Sequence, residues 1–308
     1  MKILLATDGS RHSREAIRLL RTLAARRDFD VEIVAVVPPA ASVSSAASVS
    51  PGASPLPHPR LEDQVTSDVA RSWLAAAEAE LASAGLRVRT ELLSGTPEVA
   101  LVERCREGGH NLVVAGVKGR GATPFFELGR VASHLVRWSP ASVLLVRKRA
   151  ARRPMDRPMD RPMDRPMDRP MDRPMGAESP DAQGFRILLP TDGHAGCLEA
   201  SRKLVEALSP DQATVDLVNV EEPSRELDTA RRWLSRAAGD MTWGRSPARS
   251  SVLRGRPAAA IARWATASDI DLVVLGTEAP RGSTASRLGR TGRELAWSSP
   301  CSVLMVRS

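Results

Sequence analysis

The sequence LLATDGS at residues 4–10 returns as LLPTDGH at residues 188–194, and this repetition decides the fold class of the chain. A second repeated pair follows, SPASVLLVR at residues 139–147 and SPCSVLMVR at residues 299–307. Between these anchors the halves stay in register, at an offset of 184 residues up to the second predicted strand and of 160 residues after it. The chain is therefore predicted to be a duplicated domain, with the 24-residue length difference placed in one insertion.

Each half alternates short apolar runs with amphipathic segments. In the first half, Lys2–Ala6 and Val31–Val37 are apolar strand candidates, and Ser13–Ala25 between them has apolar residues at helical spacing. Strands that alternate with helices require a parallel, doubly wound sheet with right-handed crossovers. We therefore expect an α/β fold of two tandem domains, each a five-stranded parallel sheet flanked by helices.

The last predicted strands of the two halves, Val143–Val146 and Val303–Val306, are both apolar. An unpaired apolar edge strand favours aggregation. We therefore expect the two edges to pair with each other, so that the chain forms an intrachain pseudo-dimer, alone or within a homodimer.

The predicted domains span residues 1–149 (the first lobe) and 185–308 (the second lobe), with a disordered linker at 150–184. The linker repeats Arg-Pro-Met-Asp, and proline at every fourth position forbids both a helix and a ladder strand. A docking or soft-metal role for its methionines is the weaker alternative, since methionine beside Arg and Asp makes a poor copper site. Within the first lobe, the Ala/Ser/Pro-rich segment 38–60 is predicted to be a mobile loop.

Charge and composition exclude several classes of protein. The net charge is +8, but the arginines are dispersed and no basic block with interleaved aromatic residues occurs, which argues against nucleic-acid binding. No apolar run is long enough to cross a membrane, and Asp8 comes too early for a signal peptide, so a cytoplasmic location is expected. The three cysteines lack metal-ligand spacing, and we predict no metal site and buried thiols. His12 and His194 are interpreted as exposed loop residues.

Several features of the first half meet at the carboxyl end of the predicted sheet, where ligands bind in open parallel folds. Asp8 ends the first strand and Val36 the second. Glycines let a backbone approach phosphates closely, and the start of the helix near Arg130 directs free N–H groups at an anion. The loop after the fourth strand supplies such glycines together with basic side chains, which are Gly116, Lys118, Gly119, Arg120 and Gly129.

On these residues both halves resemble the universal stress protein domain over almost their whole length, the linker excluded. ATP-binding members carry Gly-x2-Gly-x9-Gly-Ser/Thr after the fourth strand and an Asp at the end of the first, and the first half has this glycine spacing. The resemblance implies a site for ATP, alone or with Mg²⁺, in which Asp8 and Val36 hold adenosine and the glycine loop holds the phosphates. The residues implied for this site are Ala6, Thr7, Asp8, Val36, Gly116, Lys118, Gly119, Gly129, Arg130 and Val131.

The sequence departs from the family pattern in both halves. Arg130 stands where the family has Ser or Thr, so it either pairs with phosphate or fills its space. In the second half, Ala279 replaces the middle glycine and Glu278 replaces Lys118, and a carboxylate at a phosphate rim is repulsive. We therefore expect a weaker second site, formed by Asp192, Val220, Gly276, Gly289 and Arg290.

The resemblance implies an ATP-responsive regulator of the stress response with unidentified protein partners. No P-loop and no nucleophile elbow occur, and no catalytic residue is assigned, so at most slow ATP hydrolysis is expected. A nucleotide-free interaction scaffold of the same fold is the alternative, and titration with ATP separates the two.

Overall fold

The structure of the chain is a computed structural model that describes most of both lobes. The described residues are 1–24, 28–39, 66–120, 128–148, 184–192, 195–208, 213–221, 234, 242–243, 246–277 and 288–307. The Arg-Pro-Met-Asp repeats and most of segment 38–60 lie outside these ranges, as do His194, Glu278 and Ala279. The predictions made for those residues stay predictions.

The first lobe has the predicted alternation of strands and helices. Its elements are β1 (Lys2–Ala6), α1 (Arg11–Ala24), β2 (Asp30–Val37), α2 (Ser67–Ala82), β3 (Arg87–Ser94), α3 (Pro97–Glu107), β4 (Leu112–Gly116), α4 (Arg130–Trp138) and β5 (Ser142–Val146). The second lobe repeats it with β6 (Arg186–Pro190), α5 (Ala195–Leu208), β7 (Thr214–Glu221), β8 (Thr242–Trp243), β9 (Ser246–Pro247), β10 (Arg249–Arg254), α6 (Pro257–Ala267), β11 (Leu272–Thr277), α7 (Arg290–Ser298) and β12 (Ser302–Arg307). The short antiparallel pair of β8 and β9 was not predicted.

Ten of the described strands form one sheet in the order β10-β7-β6-β11-β12-β5-β4-β1-β2-β3. Within each lobe all neighbouring strands are parallel, which confirms the predicted doubly wound fold. The chain moves outward from β1 through β2 to β3, and then returns to the other side of β1 for β4 and β5. The carboxyl end of β1 therefore lies at the point where the strand order reverses, which is where ligands bind in such sheets.

The two lobes meet through an antiparallel pairing of β5 with β12, as the apolar edges predict. Leu144 pairs with Leu304, its own counterpart in the repeat, so the ladder is centred on one pair of equivalent residues. Arg147 donates from Nη2 to the carbonyl oxygens of Ala296 at 2.6 Å and Trp297 at 2.8 Å. Arg307, its repeat counterpart, reaches in the same way to the other lobe's carbonyls, at Ala141 and Val136. These reciprocal arginine bonds join the end of each lobe's last helix to the opposite lobe.

The core lies on both faces of this sheet. Along β1, Leu5 packs on the face covered by α1 and α2, whereas Leu4 packs on the face covered by α3 and α4. Each fully buried aliphatic side chain contributes about 1.5–3 kcal/mol relative to its exposed state. Both apolar clusters continue through β5 and β12 into the second lobe. Packing on both faces of the sheet therefore supports the strands that position the first-lobe site.

Candidate functional site

Asp8 connects the loop after β1 with the glycine loop after β4. Its Oδ1 accepts a hydrogen bond from the Ser10 N–H at 3.0 Å, and its Oδ2 accepts one from the Arg120 N–H at 2.9 Å. Arg120 is 112 residues away in sequence, so the carboxylate joins two segments that only the fold brings together. The sequence placed both segments at this edge, and the structure brings them into direct contact.

Glycine is required in this loop because neighbouring atoms lie too close to leave room for a side chain. A Cβ on Gly119 would lie 2.7 Å from Asp8 Oδ2, and one on Gly116 would lie 2.7 Å from His12 Cβ. The Gly129 N–H donates to the Val117 carbonyl oxygen at 2.7 Å, and a Cβ there would lie 3.2 Å from the same oxygen. The spacing that suggested a phosphate loop thus also lets the loop pack against Asp8 and α1.

Asp8 and Val36, the residues predicted to hold adenosine, lie at the same height along the sheet. Ala6 of β1 pairs with Val34 of β2, so Asp8 and Val36 each lie two residues beyond a paired position at the carboxyl edge. Val36 is half-buried, and Thr7 is buried, with its N–H donating to the Val34 carbonyl oxygen at 2.9 Å. This arrangement gives an apolar wall next to a carboxylate.

Trp73 of α2 also lies at this site, a role that the sequence analysis missed. Gly9 has φ +68°, and a Cβ on it would overlap the Trp73 indole, so the ring lies directly against the loop that carries Asp8. The Arg120 guanidinium lies 5.0 Å from the centroid of the Trp73 ring, a cation–π contact worth about 0.5–1 kcal/mol at exposed sites. The signal that could have found Trp73 is its counterpart Trp233 in the repeat, since two tryptophans at equivalent positions indicate more than helix amphipathicity.

The interpretation of His12 as an exposed loop residue was wrong. Ser10 Oγ accepts the Ser13 N–H at 3.2 Å and caps α1, so the helix begins at Arg11 and includes His12 in its first turn. The His12 side chain is half-buried, with Gly116 packed against it. Burial first, and then the positive charge of Lys118, lower the pKa of His12.

At the end of the site predicted to hold phosphate, α4 begins at Arg130 with Gly129 as its N-cap and no capping side chain. Arg130 forms an ion pair with Glu98 in the first turn of α3, with Nε 3.0 Å from Oε1. Glu98 is largely buried, whereas the Arg130 side chain is 80% exposed. Glu98 therefore engages the arginine that replaces the family's small hydroxyl residue. Val131 and Lys118, the other residues predicted here, are half-buried beside this helix start and the loop.

The described residues at the equivalent edge of the second lobe differ from those of the first. Asp192 is exposed, and a Cβ on Gly289 would meet no described residue within 4 Å, in contrast to Gly129. Arg290 pairs along its own helix, with Nε 2.9 Å from Oε1 of Glu294, because Ala258 stands where the first lobe has Glu98. Val220 is half-buried and Gly276 is exposed at this edge.

Two predicted absences concern metals and membranes. Across the ranges that the structure describes, no group of three or more His, Cys, Asp or Glu side chains could hold a metal ion. No helix in those ranges is long and apolar enough to cross a membrane. Cys105 and Cys301 are buried free thiols as predicted, and burial raises the pKa of Cys301 to about 11.

This strand order, present in both lobes, defines a duplicated doubly wound α/β domain, and in the first lobe a carboxylate faces a glycine loop at the point where the order reverses. The chain belongs to the universal stress protein family, whose model matches residues 1–147 and 185–307. It is similar to the universal stress protein Rv2005c of Mycobacterium tuberculosis, with 26% identity over 323 residues that cover 99% of this chain and 96% of the relative.

Solved structures agree on the fold. A universal stress protein from Archaeoglobus fulgidus matches with a TM-score of 0.63 at 15% identity, over 99% of this chain and 98% of that one. A functionally unknown protein from Pseudomonas aeruginosa matches with a TM-score of 0.58 at 16% identity, over 99% of this chain and 92% of that one. Both cover the two lobes together, so the duplicated arrangement has full-length structural counterparts.

Proposed function

We propose that the chain is an adenine-nucleotide-binding regulator, with one ATP site in the first lobe. The observation that carries this proposal is the contact between Asp8 and the glycine loop, where the Arg120 N–H donates to Oδ2 at 2.9 Å. Gly119 lies so close to the same carboxylate that no side chain fits between them. A ligand seated at this point touches the first-strand carboxylate and the loop amides at once.

At the adenosine end, Asp8 is the acceptor for the ribose hydroxyl groups. A carboxylate has about four acceptor sites, so two protein N–H donors leave room for hydroxyl donors as well. Val36 supplies an apolar wall and Trp73 an aromatic surface next to Gly9. The donor and acceptor chemistry present at this end fits a nucleoside.

At the phosphate end, the loop amides and the first turn of α4 are the binding groups. A helix N-terminus carries roughly half a positive charge, and α4 has no capping side chain that competes with an anion. Lys118 adds a cation on the loop. Mg²⁺, which binds mostly through phosphates and water, would arrive with the nucleotide.

The role is regulatory in this proposal, with no hydrolysis or only very slow hydrolysis. Asp8 lies at the adenosine end and is therefore not placed to activate water at the γ-phosphate. A nucleotide-free scaffold is the second candidate, and one observation favours it. Both Asp8 oxygens already accept main-chain N–H groups of the protein itself.

Isothermal titration of the full chain with ATP tests the proposal. Asp8→Ala is expected to weaken binding by at least about tenfold, because the ribose hydroxyls lose a charged acceptor. Asp192→Ala, the matched variant in the second lobe, is expected to change it by less than about twofold. No binding by the wild-type chain would favour the scaffold, and ATP turnover at a measurable rate would contradict the regulatory role.

A further inference from the structure

A cleft of about 340 Å³ lies between the two lobes, on the far side of β4 from Asp8. The first lobe lines it with His12 of α1, with Lys118 after β4, and with Arg147 and Lys148 after β5. The second lobe lines it with residues 297–300 at the end of α7. Asp8, Val36 and Gly129 are not among the lining residues, so the inter-lobe cleft shares only Lys118 with the residues assigned to the proposed ATP site.

The lining of the inter-lobe cleft is cationic. Lys118, Arg147 and Lys148 contribute three positive charges, and among the described residues no carboxylate lines the cleft. Arg147 donates to main-chain carbonyls of α7, which holds its side chain beside the cleft. Within the described ranges neither lysine has a carboxylate at ion-pair distance. The lowered pKa of His12, to which Lys118 and Arg147 contribute after burial, is consistent with a positive potential here.

The cleft also has an aromatic surface. The Trp297 side chain is 39% exposed and is one of three large apolar residues exposed in the described part of the chain. An exposed indole offers a flat apolar face, which is the usual platform for a planar ring. Small-molecule sites commonly have volumes of about 300–1,000 Å³, so the cleft is large enough for a ring with one charged substituent.

Because the chain is a repeat, the residues that line the cleft can be compared with their equivalents on the opposite side of the lobe junction. The arginine bonds across the lobe junction are present on both sides, but the residues around them differ. Arg137 stands at the position equivalent to Trp297, and its guanidinium lies 5.2 Å from the ring centroid of Trp138. Ser308 and Glu278 are the sequence equivalents of Lys148 and Lys118. Pairing of the lobes therefore does not by itself require two lysines and an open indole, since only one side has them.

We propose that the inter-lobe cleft binds a small phosphorylated molecule that carries an aromatic ring. Lys118 and Lys148 hold the phosphate, and Trp297 of the other lobe stacks on the ring. The ligand therefore contacts both lobes, and Lys118 links it to the glycine loop of the proposed ATP site. The inference goes beyond that proposed function, since it concerns a second ligand at a different place.

Phenyl phosphate is the probe for this site, titrated calorimetrically into the full chain and compared with inorganic phosphate. The wild-type chain should bind phenyl phosphate more tightly than phosphate, because only the former uses Trp297. The double variant Lys148→Ser/Trp297→Ala removes one cation and the aromatic surface from the cleft without adding a new cation. It should lose about tenfold or more in affinity, the effect of removing one charge-assisted contact and one stacking contact.

Two further variants separate this result from misfolding and from the ATP site. Lys148 is an exposed surface residue, so Lys148→Ser alone should fold normally and weaken binding severalfold. Asp8→Ala should leave phenyl phosphate binding unchanged whatever it does to ATP. The proposal is overturned if the wild-type chain shows no binding at millimolar concentrations, or if folded Lys148→Ser and the double variant bind like the wild type. Loss of phenyl phosphate binding in Asp8→Ala alone would also overturn it, because the anion would then occupy the ATP site.

Discussion

The two lobes have the same strand order and register, yet they differ in the polar groups built on that framework. Glu32 of β2 lies opposite Leu4 and Arg89, and its counterpart Asp216 of β7 lies opposite Leu188 and Arg249. In the first lobe this position is the centre of a buried charge cluster. In the second lobe the corresponding partners are largely absent.

The first-lobe cluster surrounds a carboxylate that is 1% exposed. Glu32 accepts from Arg89 at 2.6 Å, from Arg104 Nε at 2.6 Å, and lies 2.8 Å from His110 Nε2. In the second lobe, Trp264 and Ile270 stand where Arg104 and His110 would be. Among the described residues the buried Nε1 of Trp264 has no hydrogen-bond partner.

The comparison shows that the apolar strand residues are alike in the two lobes, whereas the polar residues differ. The apolar pattern of the strands is the same in both lobes, because every strand must fill the same core. The polar clusters differ as sets, since a buried charge that loses one partner is costly and its other partners are then better replaced as well.

The largest expected effect is on stability. Glu32→Gln leaves half-buried Arg104 and buried His110 without their shared carboxylate, and should lower the free energy of unfolding by about 3–5 kcal/mol. The matched Asp216→Asn should cost less than about 1 kcal/mol, because burial raises the pKa of Asp216 and few partners depend on its charge. Urea denaturation measures both, and equal costs would contradict the contrast between the lobes.

Acid should affect the two lobes in opposite directions. Burial disfavours the ionised form of Glu32, but hydrogen bonds with Glu91, Arg89 and Arg104 outweigh it and lower its pKa to about 2. A lowered carboxyl pKa stabilises the fold above the ordinary value near 4.5, and this contribution is lost as the pH falls towards about 2. Glu91, whose own pKa is raised by the hydrogen bond with Glu32, offsets part of that loss.

Asp216 behaves in the opposite sense, because its raised pKa makes it stabilising only in the protonated form. Unfolding free energies measured from pH 5 to pH 2 should therefore show the difference between wild type and Glu32→Gln shrinking with acid. The difference in unfolding free energy between wild type and Asp216→Asn should not shrink as the pH falls. A Glu32→Gln effect that is independent of pH would rule out the ionised cluster.

A smaller effect is expected from the equivalent glycines before α4 and α7. Gly129→Ala places a methyl group 3.2 Å from the Val117 carbonyl oxygen and should lower stability by about 1–2 kcal/mol. Gly289→Ala places its methyl group more than 4 Å from every described residue beyond its chain neighbours, and should be neutral within about 0.5 kcal/mol. Thermal melting of the two variants tests whether the first-lobe loop is the tighter one, and a larger loss for Gly289→Ala would refute it.

The smallest effect concerns ATP affinity at the start of α4. Because Glu98 engages Arg130, Arg130→Ser should change ATP affinity by less than about twofold. Glu98→Gln removes a negative charge and releases the guanidinium, so it should strengthen binding by about threefold. Calorimetric titration of both variants decides the role of Arg130. Weaker ATP binding by Glu98→Gln would mean that the ion pair itself shapes the phosphate end.

Much of the fold was readable in the sequence, because its signals are local. The strand predicted over Lys2–Ala6 has those bounds in the structure, and the one predicted over Val31–Val37 begins one residue earlier, at Asp30. The first helix was predicted two residues late, because the capping bond from Ser10 was not recognised. The pairing of the last strands followed from their apolar character.

The repeat, the alternation of strands and helices, and the glycine spacing were determined by the sequence by itself, since each depends on neighbouring residues or on a fixed offset. Which side chains meet was decided only by the tertiary structure. Arg120 reaches Asp8 across 112 residues, and Glu32 collects partners from β3, α3 and the loop before β4. Such contacts depend on how the crossover helices pack, and packing depends on the shape of the whole core. No local pattern in the sequence carries that information.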